Sequence, residues 1–241
     1  MKVIKPGGYK SIVFFTGAGM SAESGVPTYR GRGGVWSQYK WEEYACQEAF
    51  ISDPEKVLKF HELRRQSVLK CSPHAGHRVI TELEKGHPCV RVVTQNIDGM
   101  HQRAGSKNVT ELHGSLWRLW CPSHGIFEDI GETFKACKCE RCGDWLRPDI
   151  VWFGDVLDQD VITEANLIIR HCDLFISIGT SGIVWPAAGF PKVAKENGAY
   201  CIEINPEPNE MSHLYDATVR ETAGNALPAL FPNTMINEAP E

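Results

Sequence analysis

No apolar run in this chain approaches the ~20 residues that a membrane-spanning helix needs. Two lysines stand near the start, but no signal-peptide-like apolar core precedes the first apolar stretch at about Ser11, so the expected compartment is the cytoplasm. Positive charge is not in excess: 25 Lys and Arg face 30 Asp and Glu, a net charge of −5. That balance argues against a dedicated nucleic-acid binder, which normally shows a basic face. There is no internal repeat and no low-complexity linker, so the 241 residues suit one domain, or a domain with a small appendage. The first glycine turn lacks a complete Gly-x-Gly-x-x-Gly, which argues against a Rossmann dehydrogenase. The nine cysteines are an odd number, which argues against a disulfide framework.

Four apolar, β-branched runs are present instead: Ser11–Thr16, Val90–Thr94, Leu174–Ile178 and Tyr200–Ile204. They read as buried strands of a parallel sheet. Helical stretches fall between them, including His74–Gly86 and Asp160–His171, which predicts an α/β fold with helices on both faces. Five short polar motifs follow or sit near apolar runs: Gly17-Ala18-Gly19-Met20-Ser21, Gln95-Asn96-Ile97-Asp98, His113-Gly114, Gly179-Thr180-Ser181 and Asn205-Pro206-Glu207. Ligands of open α/β sheets bind at the carboxyl ends of strands, so these five are candidates for one site. The first glycine turn suits a pyrophosphate, with free N–H groups and a helix dipole expected just after it. Two insertions interrupt the alternation, at about Val35–Lys70 and Trp117–Arg147. In the first, Asp53-Pro54-Glu55 reads as a helix start. The last residues, Pro232–Glu241, are polar and expected to fray.

Thr16-Gly17-Ala18-Gly19 with Ser21, Ser24-Gly25-Val26-Pro27 with Arg30, Gln95-Asn96-Ile97-Asp98, Leu112-His113-Gly114, Val151-Trp152-Phe153-Gly154 and Gly179-Thr180-Ser181 occur in one order along the chain. In that set the chain resembles the sirtuins, NAD-dependent protein lysine deacylases, from about Ser11 to about Leu230. The resemblance implies a Rossmann-like domain (1–34, 71–116 and 148–241) and a small domain built from a helical module (35–70) and a zinc-ribbon module (117–147). It implies NAD as a co-substrate: the acyl oxygen of a modified lysine attacks the nicotinamide ribose, and a general base then activates a ribose hydroxyl. His113 stands at the family's base position, and an ordinary pKa of about 6.5 suits that task. Asn96 joins it as a catalytic candidate. The cofactor-binding residues implied are Gly17, Ala18, Gly19, Ser21, Glu23, Pro27, Tyr29, Arg30, Trp36, Gln95, Asn96, Ile97, Asp98, Gly179, Thr180, Ser181, Asn205, Pro206, Glu207 and Ala223. Asp98 and the Ile97 backbone would hold the nicotinamide amide, Thr180 and Ser181 phosphate or ribose, and Asn205 and Glu207 the adenosine ribose. The segment Val151, Trp152, Phe153 and Gly154 would pair with an acyl-lysine protein substrate bound as an extended peptide. The family comparison also suggests a monomer.

Cys139-x-x-Cys142-Gly143 reads as half of a zinc ribbon, and Cys121-x-x-His124-Gly125 as the other half. Most zinc-bearing sirtuins carry cysteine where His124 stands. Cys137 competes with Cys139 for the third position, and a degenerate, metal-free site is the alternative. Sirtuins that remove acidic acyl groups such as succinyl carry a Tyr-x-x-Arg pair and a pocket alanine; here Arg64 and Ala45 match, and His61 replaces the tyrosine. A spacing of three places His61 and Arg64 on one helix face. Protonation of His61 would add a second charge, so desuccinylation is expected to weaken relative to deacetylation as pH rises. Competing functions are a protein ADP-ribosyltransferase of the same fold and a non-catalytic NAD-metabolite sensor.

Overall fold

The apolar runs form strands where both of their faces find cover. The computed structural model describes residues 3–31 and 33–234. Along the chain lie β1 (Ile12–Thr16), β2 (Val90–Thr94), β3 (Val109–Glu111), β4 (Gly114–Cys121), β5 (Gly125–Glu128), β6 (Arg147–Ile150), β7 (Leu174–Ile178), β8 (Tyr200–Ile204) and β9 (Ala217–Val219). Six make one sheet in the order β3-β2-β1-β7-β8-β9, and all its pairings are parallel. The four expected strands are β1, β2, β7 and β8. All residues of β1 and β7 are buried, which is why neither shows polar alternation. The short edge strands β3 and β9 carry too little pattern to be read from sequence.

Helices Ala75–Gly86 and Ala223–Leu230 pack on one face, around Phe14, Val92, Ile176 and Ile202. Helices Gln159–Arg170 and Phe190–Glu196 cover the other, around Val13, Phe15, Phe175 and Cys201. Two of these helices are started by the side chain of the N-cap residue. His74 caps the first by accepting from Gly76 N, and Asp158 caps the third by accepting from Asp160 N and Val161 N. One expectation fails. The helix after the glycine turn is only Gly19–Ala22, a single turn. A macrodipole needs many aligned peptides, so this turn offers backbone N–H groups but little dipole.

The sheet order places β1 at a switch point. From β1 the chain first builds outward through β2 and β3, then returns to the other side through β7 and β8. The crevice at the carboxyl ends there is the expected ligand position.

A second core lies outside this sheet. Ala45, Phe50, Val57, Leu58 and Val68 from the first insertion pack with Leu119, Cys121, Phe134, Cys139 and Leu146 around the second. β5-β4-β6 form an antiparallel sheet there. The helix Pro54–Leu69 begins as its sequence indicates, with Asp53 accepting from Lys56 N and Pro54 in the first turn. No helix among the described residues is long and apolar enough to cross a membrane. The expected fraying of Pro232–Glu241 falls mainly on residues 235–241, outside the described residues.

Candidate active site

A cavity of about 570 Å³ opens at the carboxyl ends of the strands, within the ~300–1,000 Å³ of small-molecule sites. Gly17, Ala18, Gly19, Gly179, Thr180, Ser181, Asn205 and Glu207 line one side, and Gln95, Asn96, Ile97 and His113 another. Ala45, His61, Arg64, Val151, Trp152, Phe153 and Gly154 line the remainder, with Tyr29, Arg30 and Trp36. One sequence motif in full, Gly179-Thr180-Ser181, and part of each of the other four therefore share one space with residues of the first insertion.

Six sequence candidates do not line it. Pro27 and Asp98 line a small side pocket with Tyr29 and Arg64. Ser21 is buried behind Asn96, whose Nδ2 donates to its Oγ at 3.3 Å. Glu23 accepts from Gly224 N at 2.6 Å, so its carboxylate serves the start of the helix Ala223–Leu230. Ala223 is packed in the core at 4% exposure, and Pro206 is absent from the lining. Conversely, Phe60, Leu116, Asp155, Trp185 and Asn209 line the cavity and carry no motif signal in the sequence, save Asn209 at the end of a Pro- and Asn-rich turn.

The glycines of the two turns serve each other. Gly19 N donates to Gly179 O at 3.0 Å. A Cβ on Gly19 would lie 2.6 Å from Gly179 Cα, and Gly179 has φ +61°. The close approach that sequence assigns to a pyrophosphate is in the first place an approach of the β1 turn to the β7 turn.

His113 Nδ1 lies 3.0 Å from Gln95 O. A carbonyl only accepts, so Nδ1 carries the proton and Nε2 keeps its lone pair. Burial lowers the pKa of His113 from its ordinary value, opposed in part by that hydrogen bond. Gly114 holds the residue in place: at φ +74°, a Cβ there would sit 2.0 Å from Asp149 O. Asn96 N donates to Thr94 Oγ1 at 3.0 Å and its Nδ2 to Gly17 O at 3.0 Å. Its Oδ1 has no partner among the described residues. Asp98 Oδ1 accepts from Met100 N at 2.9 Å; burial raises its pKa, against the lowering effect of that amide.

Arg64 is 8% exposed, with its guanidinium 5.3 Å from the centroid of the Tyr29 ring. His61 shares its helix face and the cavity, but its nitrogens are spent. Nδ1 donates to Val57 O at 2.8 Å, and Nε2 accepts from Trp152 Nε1 at 3.3 Å. Burial pushes its pKa down to about 4. This corrects the expectation of a second, titrating charge. The segment expected to pair with peptide is likewise partly committed: the amides of Val151, Trp152 and Phe153 donate to His113 O, Asp155 Oδ2 and Ala45 O. Only the Gly154 amide is without a partner among the described residues.

The candidate metal ligands converge. The donor atoms of Cys121, His124, Cys139 and Cys142 all lie within 4.8 Å of one another. His124 Nδ1 is 3.5 Å from Cys121 Sγ and 3.4 Å from Cys139 Sγ, and Cys121 Sγ is 3.6 Å from Cys142 Sγ. Thiolates on a tetrahedron of ~2.3 Å bonds stand about 3.8 Å apart, so three thiols and an imidazole at these distances fit structural zinc. The amides of Arg141 and Cys142 lower the pKa of the Cys139 thiol, while the neighbouring Cys121 and Cys139 thiols help to push Cys142 up, so one thiolate is favoured in this crowded set. Cys139 lies in the cluster, and its competitor Cys137 is exposed and outside it.

A switch-point cavity in a parallel sheet, a half-buried neutral histidine beside it and a closed Cys3His cluster define a nucleotide-dependent enzyme with a structural metal module. The chain belongs to the Sir2 family, whose model matches residues 17–186. It is 43% identical to an NAD-dependent protein deacylase of Aquifex aeolicus, over 92% of this chain and 94% of that one. It is similar to a solved Sir2 homologue–NAD complex, with TM-score 0.86, 40% identity and coverage of 95% and 91%. It is also similar to a Sir2 mutant bound to a deacetylated p53 peptide and 3'-O-acetyl-ADP-ribose, with TM-score 0.81, 28% identity and coverage of 92% and 92%.

Proposed function

We propose that this Sir2 family member is an NAD-dependent protein lysine deacylase that removes acetyl and also acidic acyl groups such as succinyl. The observation that carries the reading is one continuous cavity joining the glycine turns, His113 and Arg64. Bound NAD supplies an electrophilic ribose carbon with nicotinamide as its leaving group. The chain's own residues do the rest. His113 Nε2 takes a proton from a ribose hydroxyl, and the Gln95 carbonyl keeps the other ring nitrogen protonated. Asn96, held by Gly17 and Thr94, offers Oδ1 to the ribose or an ordered water. Ile97 and Asp98 hold the nicotinamide amide from the side pocket. Thr180, Ser181, Asn205 and Glu207 bind phosphate and adenosine ribose. Glu23, Pro206 and Ala223 do not line the cavity and take no direct part in this reading.

Arg64 supplies a fixed cation for a carboxylate at the end of the acyl chain, able to form a two-pronged hydrogen bond. Ala45 leaves room for that chain. An extended acyl-lysine peptide adds at Gly154 and the carbonyl of Val151. Zinc would be held by Cys121, His124, Cys139 and Cys142, and with four protein ligands it has no open position, so its part is structural. Residues 1–34, 71–116 and 148–241 form the nucleotide domain, and 35–70 with 117–147 the small domain, a division supported by the two cores on the faces of the parallel sheet, which hold no residue of either insertion, while a third core joins the insertions to Val26, Ile97, Met100, Ile150 and Trp152. The reading extends to a cytoplasmic monomer without dedicated nucleic-acid binding, supported by nine free cysteines and a net charge of −5; light scattering tests the monomer.

The deciding experiment is mass spectrometry of products formed from NAD and acetyl- or succinyl-lysine peptides. Free lysine, nicotinamide and O-acyl-ADP-ribose are expected. ADP-ribose attached to protein, with no free lysine, would assign the chain to the transferase class instead.

A further inference from the structure

Glu203 lies near the end of β8 and is 1% exposed. A carboxylate this deep needs compensation by charge and hydrogen bonds. It accepts from Arg220 Nη1 at 2.6 Å, and Ser212 Oγ lies 2.9 and 2.8 Å from its two oxygens. Both partners reach onward to the same loop. Ser212 Oγ accepts from Asn209 N at 2.8 Å. Arg220 Nη1 also lies 3.3 Å from Asn205 O and 3.5 Å from Glu207 O. The loop in turn grips the β7 turn: Asn205 Nδ2 and Asn209 Nδ2 both donate to Thr180 O, at 3.0 and 2.9 Å. Thr180, Asn205, Glu207 and Asn209 all line the cavity.

We propose that Glu203 is a positioning residue for the nucleotide, which through Ser212 and Arg220 locks loop 205–209 onto the Thr180 turn and thereby sets the affinity for the adenosine end of NAD. The inference rests on the reading of the cavity as an NAD site. The sheet order separates this loop from the chemistry. β8 stands four strands from β3, which precedes His113, and four spacings of ~4.8 Å are about 19 Å. Loosening the loop therefore weakens binding without touching the base.

The test is calorimetric titration of the full chain with ADP-ribose, together with steady-state kinetics. Glu203→Gln keeps the volume but loses the charge that holds Arg220. As a guard against unfolding of the sheet by that change, Ser212→Ala and Arg220→Gln are measured beside it; Arg220 has a side chain 34% exposed. In the folded variants the ADP-ribose Kd and the KM for NAD should rise about tenfold, the size of one lost charge-assisted hydrogen bond. The kcat should stay within about twofold and the KM for acyl-peptide should not move, a split expected when only ground-state binding is lost. Wild-type affinity in both Ser212→Ala and Arg220→Gln would overturn the proposal, as would kcat and peptide KM worsening in step with NAD. Wild-type protein that binds no ADP-ribose would instead remove the nucleotide reading beneath it.

Discussion

His113 enters the cavity already in the tautomer that the proposed base role requires, because Gln95 O accepts only from Nδ1–H. His113→Ala should lose ~10²–10⁴-fold in turnover while still binding ADP-ribose; near-normal turnover would end the assignment. Desolvation lowers its pKa, and the base works when neutral. Activity should thus persist as pH falls and be lost only below the ordinary histidine value of about 6.5. An acid limb of kcat/KM centred above that value would contradict the burial argument. For the acyl chain, Arg64→Met should raise the KM for succinyl-lysine far more than for acetyl-lysine; equal responses would mean that Arg64 meets no substrate carboxylate. His61 is held neutral by Val57 and Trp152, with its pKa at about 4. The ratio of desuccinylation to deacetylation should therefore stay flat between about pH 6 and 8. Sequence placed His61 correctly on the Arg64 face, but the indole that occupies its second nitrogen comes from residue 152, far along the chain.

Among elements, the helix Pro54–Leu69 depends on a residue that its sequence hides. Arg65 is fully buried. Its Nε donates to Leu116 O at 2.7 Å and its Nη1 to Asp129 Oδ1 at 2.5 Å, and its guanidinium lies 4.0 Å from the Phe134 ring centroid. One side chain thus ties the helical insertion to β4 and to the metal-bearing insertion. Removing one partner of such a pair strands a buried charge, so Arg65→Ala or Asp129→Ala should each cost ~3–5 kcal/mol in urea unfolding. The exposed pair Lys192–Glu196 should contribute less than ~1 kcal/mol, and a similar cost at both pairs would refute the distinction. In sequence, Arg64-Arg65 are two equivalent charges on a charged helix. Which one faces a cavity and which one the core depends on a 100° rotation between neighbours and on what packs there.

For the whole molecule, zinc and the two insertions stand or fall together. Cys121 and Cys139 belong both to the ligand cluster and to the second core. Protein purified without added metal should carry about one zinc per chain. Cys142→Ser should abolish it and lower thermal stability, whereas Cys137→Ser should leave metal content unchanged. A fully folded, metal-free wild type would show that the cluster serves as an apolar and hydrogen-bonded turn alone.

Sequence alone determined the parallel sheet, because β1 and β7 are buried on both faces and burial of that kind writes itself as an unbroken apolar run. It also determined the glycine turns, the ligand spacing of the metal cluster and the presence of His113 in the cavity, since local backbone and chelate geometry demand particular residues at short separations. Tertiary structure decided what separation along the chain conceals: that Gly19 is needed for Gly179, that Glu23 serves Gly224, that Trp152 silences His61, and that Glu203 holds the loop at Asn205–Asn209. Each of those depends on a partner brought near by folding, and a single residue's chemistry does not name its partner.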